Sequence, residues 1–485
     1  MHIIGISCFY HDSSAAILKD DNILAAVQEE RFSRIKHDSN FPLNSINFCL
    51  KSSNKSLNDI DYLIFYEKPL LKFTRLLETY ISTAPKGFKS FKMSIPLWVK
   101  QKLFQKRLIL DELKKIGHDG DFEKKILFAE HHQSHAASAF YPSPFEEAVI
   151  LTMDATGEWT TTSVAYGKRN KMKILREIHF PHSIGLLYSA FTYHLGFKVN
   201  SGEYKVMGLA PYGKPVFKNT ILDHLIDVKS DGSFRINMKY FNYCSGLTMT
   251  NKKFDELFEG RQPRKPEVEK IQVFHMNMAA SIQEVIDMIV LRTVKHLSKE
   301  FSCENLCLAG GVALNCVTNG KLKKKNYFKN IWVQPASGDA GGSIGAAFLG
   351  YYHYKNNKRK NRSNDRMQSS YLGPSYSNHE IEKFLKLKKV NYRKLKQIEL
   401  IKTTTRALID QKAIGWMQGK LEFGPRALGN RSILADPRSE KMQNNLNLKI
   451  KFRESFRPFA PSILFEELNN WFDLDIESPY MLLVA

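Results

Sequence analysis

No stretch of the sequence approaches the ~18 consecutive apolar residues that a membrane-spanning helix requires. The chain enters a strand pattern at Ile3 without a charged-then-apolar leader, so a cytoplasmic protein with no membrane partner is expected. Cysteine is scarce and scattered: Cys8, Cys49, Cys244, Cys303, Cys307 and Cys316 include no CxxC pair, which argues against a disulfide framework. Acidic residues are also short, 49 against 71 Lys and Arg, leaving a net charge of +22. Such a charge invites a nucleic-acid hypothesis, with a solvated lysine-rich surface as the plainer alternative. The 43% hydrophobic and 12% aromatic content supports sizeable cores and excludes a disordered or collagen-like chain. At ~100–200 residues per domain, 485 residues predict two or three domains.

Two segments of the chain resemble one another. Ile3–Ile6, Ala15–Leu18 and Ile23–Val27 read as strands, with His11-Asp12-Ser13-Ser14 in the first turn. Ala148–Met153, Thr161–Tyr166 and Lys171–His179 repeat the pattern, with Asp154-Ala-Thr-Gly157 as the turn. Two strand–acidic-turn–strand–strand units suggest an internal duplication. That organisation suits paired α/β lobes around a cleft, as in actin-like ATPases. Ile282, Val285, Ile286 and Ile289 recur at helical spacing and predict an amphipathic helix to about Leu297, feeding a strand at Asn305–Leu308. Residues 67–125 read as an insertion between core elements. From Lys355 to Asn364 the apolar pattern gives way to a basic spacer. The expected division is 1–354, a linker at 355–368, and a second α/β domain at 369–485. The terminal Ser478–Ala485 reads as a turn running into a strand.

Three groups of residues carry chemistry. In Glu130-His-His-Gln-Ser-His135, a helix places His131 and His135 on one face, spaced to chelate one metal, with His132 about 100° away. Asp154 and Asp339 follow apolar strands, where α/β sheets hold their ligands. Two His and two Asp suit Fe(II), Mn(II) or Zn(II); the plainer role for each Asp is an Asx-turn or a helix N-cap. The glycine turns Ala309-Gly310-Gly311 through Asn315 and Gly338-Asp339-Ala-Gly341-Gly342 match neither a P-loop nor a Rossmann fingerprint. They would let backbone amides approach phosphate, with Lys205 in Asn200–Gly208 as a further phosphate contact or a surface lysine. Between Lys420 and Arg457 there are nine Lys or Arg against four acids. Lys449, Lys451 and Arg453 alternate as on one face of a strand. An anion pocket with arginine supplying bidentate contacts is the functional reading, and structural salt bridges are the alternative for any single residue.

Tyr10-His11-Asp12-Ser13-Ser14, Glu29-Glu-Arg-Phe-Ser-Arg-Ile-Lys-His37, His131-His-Gln-Ser-His135, Met207-Gly-Leu-Ala-Pro-Tyr-Gly213 and Phe423-Gly-Pro-Arg426-Ala-Leu-Gly-Asn-Arg431 together resemble the O-carbamoyltransferases. That family includes nodulation protein NodU and the tobramycin carbamoyltransferase, and the motifs run in its order along essentially the whole chain. The resemblance implies a duplicated actin-like (Kae1/TsaD-like) domain followed by a YrdC/Sua5-like α/β domain. Family members continue well beyond the Ser478 region, so the second domain is expected to be incomplete. The C-terminal domain would make carbamoyl adenylate from carbamoyl phosphate and ATP, with Mg2+ accompanying the nucleotide. The N-terminal domain would transfer the carbamoyl group to a sugar, polysaccharide or secondary-metabolite hydroxyl. By the same resemblance, His131, His135, Asp154 and Asp339 hold Fe(II) and His11 is the base. Lys205, Gly310, Gly311, Asn315 and Gly338 fall in nucleotide-binding stretches. Arg426, Arg431, Ser432, Lys449, Arg453 and Arg457 fall in the carbamoyl phosphate and ATP domain. Small phosphates explain that basic cluster, which argues against nucleic acid as partner. The alternatives are a tRNA threonylcarbamoyl-type transferase and a scaffold or transfer-only protein.

Overall fold

The computed structural model describes residues 1–100, 102–117, 122–360 and 364–485. Part of the expected linker (361–363) and part of the expected insertion (101 and 118–121) lie outside the described residues. The chain forms two compact units, Met1–Met367 with Leu482–Val484, and Gln368–Met481 with Ala485.

The first unit begins with β1 (His2–Ser7), β2 (Ser14–Lys19) and β3 (Asn22–Gln28), then β4 (Tyr62–Phe65) and β5 (Ile126–Phe128). Runs such as Ile-Ile-Gly-Ile and Ala-Ala-Ile-Leu are apolar on both faces, which suits strands covered on both sides. These strands are ordered β3-β2-β1-β4-β5. The β1–β2 and β2–β3 pairs are antiparallel, and the β1–β4 and β4–β5 pairs are parallel.

Three further strands, β6 (Glu147–Met153), β7 (Thr160–Lys168) and β8 (Lys171–His179), follow. A separate hairpin pairs β9 (Ile226–Val228) with β10 (Phe234–Ile236). With β11 (Asn305–Ala309) and β12 (Asn330–Val333), the second sheet has the order β8-β7-β6-β11-β12. Its pairs repeat the first sheet's directions in the same positions. The duplication read from the strand pattern is thus present in the hydrogen-bonded topology. The expected amphipathic helix spans Val273–Glu300.

Each sheet's last strand leads into a helix, His131–Phe140 after β5 and Asp339–Phe348 after β12. Both helices are almost wholly buried. Small residues let them pack at backbone distance. A Cβ built on Gly345 would lie 1.7 Å from the Ser134 carbonyl oxygen, and one on Gly5 of β1 would lie 1.8 Å from that of Ser343. Between β4 and β5 the chain forms helices Pro69–Thr83, Phe88–Lys100 and Gln105–Lys114, where the insertion was expected.

The second unit contains helices Asn378–Leu387 and Gln397–Ile409 and an antiparallel hairpin of β13 (Ile414–Met417) and β14 (Arg431–Leu434). The strand expected through Lys449, Lys451 and Arg453 does not form. Leu446–Ile450 is a wide helical turn that ends at Lys451. Lys449 therefore does not share an extended face with Lys451 and Arg453, because a helical turn winds successive side chains around its axis rather than alternating them between two faces. Nor is the terminal strand present. Leu482–Val484 instead lie along the first unit, where Leu482 O accepts from Asn319 Nδ2 at 3.1 Å and Val484 N–H donates to Cys316 O at 3.1 Å.

Candidate active site

The site is assembled from equivalent places in the two copies of the motif. The β1–β2 turn carries His11 and Asp12, and the β6–β7 turn carries Asp154. The helix after β5 supplies His131 and His135, and the helix after β12 opens with Asp339. One turn of helix brings the two imidazoles together, with their Nε2 atoms 3.1 Å apart. Asp154 Oδ2 stands 3.1 Å from His131 Nε2 and 3.6 Å from His135 Nε2. Asp339 Oδ1 is 3.6 Å from His135 Nε2 and 3.8 Å from His131 Nε2. His11 closes the site, its Nε2 3.6 Å from Asp339 Oδ2.

These four residues, His131, His135, Asp154 and Asp339, present donor atoms that all lie within 4.8 Å of one another. Ligand bonds of about 2.1 Å put neighbouring donors about 3.0–3.4 Å apart at right-angled or tetrahedral geometry, close to the separations found here. Two Nε2 atoms and two carboxylate oxygens converging on one point suit a divalent transition metal better than a hydrogen-bond network, since two facing imidazole nitrogens can share only one proton. The donor set fits Fe(II), Mn(II) or Zn(II) alike.

Surrounding groups hold the donors in place. The Gly311 N–H donates to Asp154 Oδ1 at 3.1 Å, and Tyr66 Oη–H donates to Asp339 Oδ2 at 3.3 Å. Glu158 accepts from the His131 backbone N–H at 3.1 Å and the Lys68 N–H at 2.7 Å, tying the histidine helix to the insertion. His131 Nδ1 lies 3.8 Å from Glu67 Oε2, which is itself paired with the buried Lys72 at 2.7 Å. Gly310 has φ +83°, and a Cβ there would sit 2.2 Å from Met153 O, so the β11 turn needs glycine to abut the β6 turn.

Burial acts most strongly on Asp154 and would raise its pKa, but hydrogen bonds from His131 and His135 hold it well below the usual carboxylate range. His132 turns away, with Nδ1 3.0 Å from Ser163 Oγ, and burial drives its pKa far down, so it is a neutral packing residue. The His11 imidazole is under opposing influences. Burial would lower its pKa, yet Asp339 and the hydrogen bond to Asp12 raise it to about 9.

The remaining expected site residues are more dispersed. Gly338 is the N-cap of the Asp339 helix. Asn315 caps the Cys316–Lys325 helix by accepting from Thr318 N, and its Nδ2 donates to Gln283 Oε1 at 3.0 Å. Lys205 lies on the Glu203–Leu209 helix with its ammonium 5.5 Å from the Phe197 ring centre.

In the second unit, the buried Glu422 carboxylate accepts the backbone N–H groups of Leu428, Asn430 and Arg431 at 2.8–3.2 Å, shaping the loop that carries Arg426. Ser432 Oγ accepts from Gly429 N at 3.0 Å. Desolvation lowers the Lys451 pKa, with Arg453, Arg457 and Arg431 adding, so these four cations share one neighbourhood. Lys449 is exposed. Arg453 is braced by Asn447 Oδ1 at 2.6 Å and Arg457 by Glu454 at 3.5 Å.

Sequence reasoning missed Asp12, His37, Tyr66, Glu67 and Glu158 as neighbours of the site. Tyr66-Glu67 directly follow the β4 apolar run, and Glu158 lies four residues after Asp154, so position after a strand was an available signal.

Residues 2–348 match the family description "Carbamoyltransferase N-terminus", and residues 405–485 match "Carbamoyltransferase C-terminus". The chain belongs to the carbamoyltransferase family. This carbamoyltransferase is 55% identical to an uncharacterised protein of Synechocystis over 490 residues, spanning 100% of this chain and 79% of that protein. It is 36% identical to nodulation protein NolNO of Sinorhizobium fredii over 481 residues, 98% of this chain and 66% of that protein. Among solved structures, component A of the Acidaminococcus fermentans (R)-2-hydroxyglutaryl-CoA dehydratase aligns over 73% of this carbamoyltransferase and 99% of that chain, at 13% identity and a TM-score of 0.37. No helix among the described residues is long and apolar enough to cross a membrane.

Proposed function

We propose that this carbamoyltransferase is an O-carbamoyltransferase. Carbamoyl adenylate, formed from carbamoyl phosphate and ATP with release of phosphate and pyrophosphate, would pass its carbamoyl group to a hydroxyl of a sugar, polysaccharide or secondary metabolite, with AMP as the leaving group and the hydroxyl proton going to His11. The observation that carries this reading is the convergence of His131, His135, Asp154 and Asp339, with His11 Nε2 3.6 Å from Asp339 Oδ2. A divalent metal, Fe(II) by resemblance to the family, would supply Lewis-acid stabilisation of charge developing on a phosphate or carbonyl oxygen.

The chain's own residues do the rest. His131 and His135 would give their Nε2 lone pairs, and Asp154 and Asp339 one carboxylate oxygen each. His11 Nε2, 3.6 Å from Asp339 Oδ2, would take the acceptor's hydroxyl proton. The β11 turn at Gly310 and Gly311 and the N-terminal turn at Gly338 would offer backbone N–H groups to the adenylate phosphate. Arg426, Arg431, Ser432, Lys449, Arg453 and Arg457 would bind carbamoyl phosphate and ATP in a YrdC-like C-terminal domain, with Mg2+ on the nucleotide. Use of ATP and carbamoyl phosphate would support a cytoplasmic location.

The test is carbamoyl phosphate-dependent release of pyrophosphate from ATP, measured with and without Fe(II). Release with both substrates supports adenylate formation. No release leaves a transfer-only role or a scaffold as the better reading.

A further inference from the structure

The Glu29–His37 motif has no part in the four-donor cluster, yet the fold brings its last residue to the base. His11 Nδ1 lies 2.9 Å from Asp12 Oδ2, and His37 Nδ1 lies 2.9 Å from the other oxygen, Asp12 Oδ1. One carboxylate thus bridges two imidazoles. The arrangement is built into the backbone on both sides. Ser13 N–H donates to Asp38 O and Phe9 N–H to Ser39 O, each at 2.8 Å, so the β1–β2 turn is stitched to the residues after His37. The His37 N–H donates to Glu30 Oε2 at 3.0 Å. Asp12 and His37 both adopt left-handed backbone, with φ of +52° and +57°, conformations that side chains other than glycine adopt at a cost.

The proton positions follow from the acceptor. Burial would raise the Asp12 pKa, but hydrogen bonds from His11 and His37 hold it below the ordinary carboxylate range, so the group is ionised and can only accept. Both Nδ1 atoms must then donate to it. His37 Nε2 is buried and has no hydrogen-bond partner among the described residues, so that ring's polar contact is with Asp12. His11 is left with Nε2 facing Asp339 and the cluster.

We propose that His37 is a positioning residue for the transfer reaction: through Asp12 it fixes the His11 ring with its proton on Nδ1, so that Nε2 is the atom presented to the acceptor hydroxyl. A carboxylate anchored by only one imidazole could rotate and offer either oxygen, whereas two donors on opposite oxygens lock its plane. The inference rests on His11 being the base, which transfer activity of His11→Gln judges separately. The hydrogen-bond chain is read without activity, so either can fail while the other stands.

The experiment is proton NMR of the full chain labelled with nitrogen-15 on histidine. Two far-downfield imidazole N–H resonances are expected, both assigned to Nδ1, from His11 and His37. Asp12→Asn should remove both. His37→Ala should remove one and shift the other while speeding its exchange with water. His37→Asn, whose side-chain amide can still donate to Asp12, should return the His11 resonance toward its wild-type position. A His11 resonance unmoved in His37→Ala would overturn the proposal. If that variant does not fold, the wild-type spectrum decides, because the absence of an Nδ1 proton on either ring contradicts the chain.

Discussion

Replacing Gly345 by alanine should dismantle the cluster without touching any of its donors. The added Cβ would lie 1.7 Å from Ser134 O on the histidine helix, with Ser138 N at 2.9 Å on the same helix. Carbon and oxygen need about 3.3 Å, so the two helices must part by roughly 1.6 Å. Backbone lines both sides of the contact, and no side chain can swing away. Asp339 opens the moving helix, and its Oδ1 already stands 3.6 and 3.8 Å from the two imidazole Nε2 atoms. A shift of that size is several times the ~0.2 Å tolerance of a ligand bond, so Asp339 would leave the coordination set. Affinity for Zn(II) or Mn(II), measured by calorimetric titration, should fall by about 100-fold, the upper range for losing the support of a ligand. Overpacking should also cost about 1–3 kcal/mol, seen as a lower unfolding midpoint. Wild-type metal affinity in a folded Gly345→Ala protein would refute the view that backbone-close helix packing sets the donor geometry.

Other consequences concern charge. His194 is buried, and that burial, with His275 nearby, lowers its pKa from 6.5 to about 4. A histidine held down when folded gives stability that is complete above pH 6.5 and is lost as pH falls toward 4. The loss should reach about 3 kcal/mol. Denaturant unfolding at stepped pH should show this slope, and His194→Gln should flatten it; an equal slope in both proteins would contradict the assignment. Glu67 and Lys72 form a pair whose side chains are only 7% and 8% exposed. Lys72→Met should destabilise by about 3–5 kcal/mol, because the Glu67 carboxylate beside His131 is left buried and unpaired, and Glu67→Gln with Lys72→Met should recover much of the loss.

Much of the first unit was legible because its strands are continuous apolar runs ended by acidic turns. Met153 to Asp154 and the repeat of that pattern after β1 carried both the duplication and one candidate ligand. The i, i+4 pair of His131 and His135 needed only helix geometry. What the pattern could not show was contact between elements distant in sequence. Nothing local says that His37 meets Asp12, that Tyr66 reaches Asp339, or that Asn315 spends its side chain on a helix cap and Gln283. The basic run after Leu446 misled for a different reason. Lys449, Lys451 and Arg453 alternate in sequence, but Met442, Leu446 and Asn447 are buried at helical spacing, and that burial sets the local structure. Nor does anything local say that His11 faces Asp339, more than three hundred residues away in the chain.

Anaerobic titration of Fe(II) into the wild-type protein and the His131→Ala, His135→Ala double variant, read as metal retained per chain after gel filtration, bears on the whole arrangement. One tightly held ion per wild-type chain and none in the folded double variant is the expected result. Equal retention by both proteins would contradict the four-donor centre, and with it the role given to His11 beside Asp339.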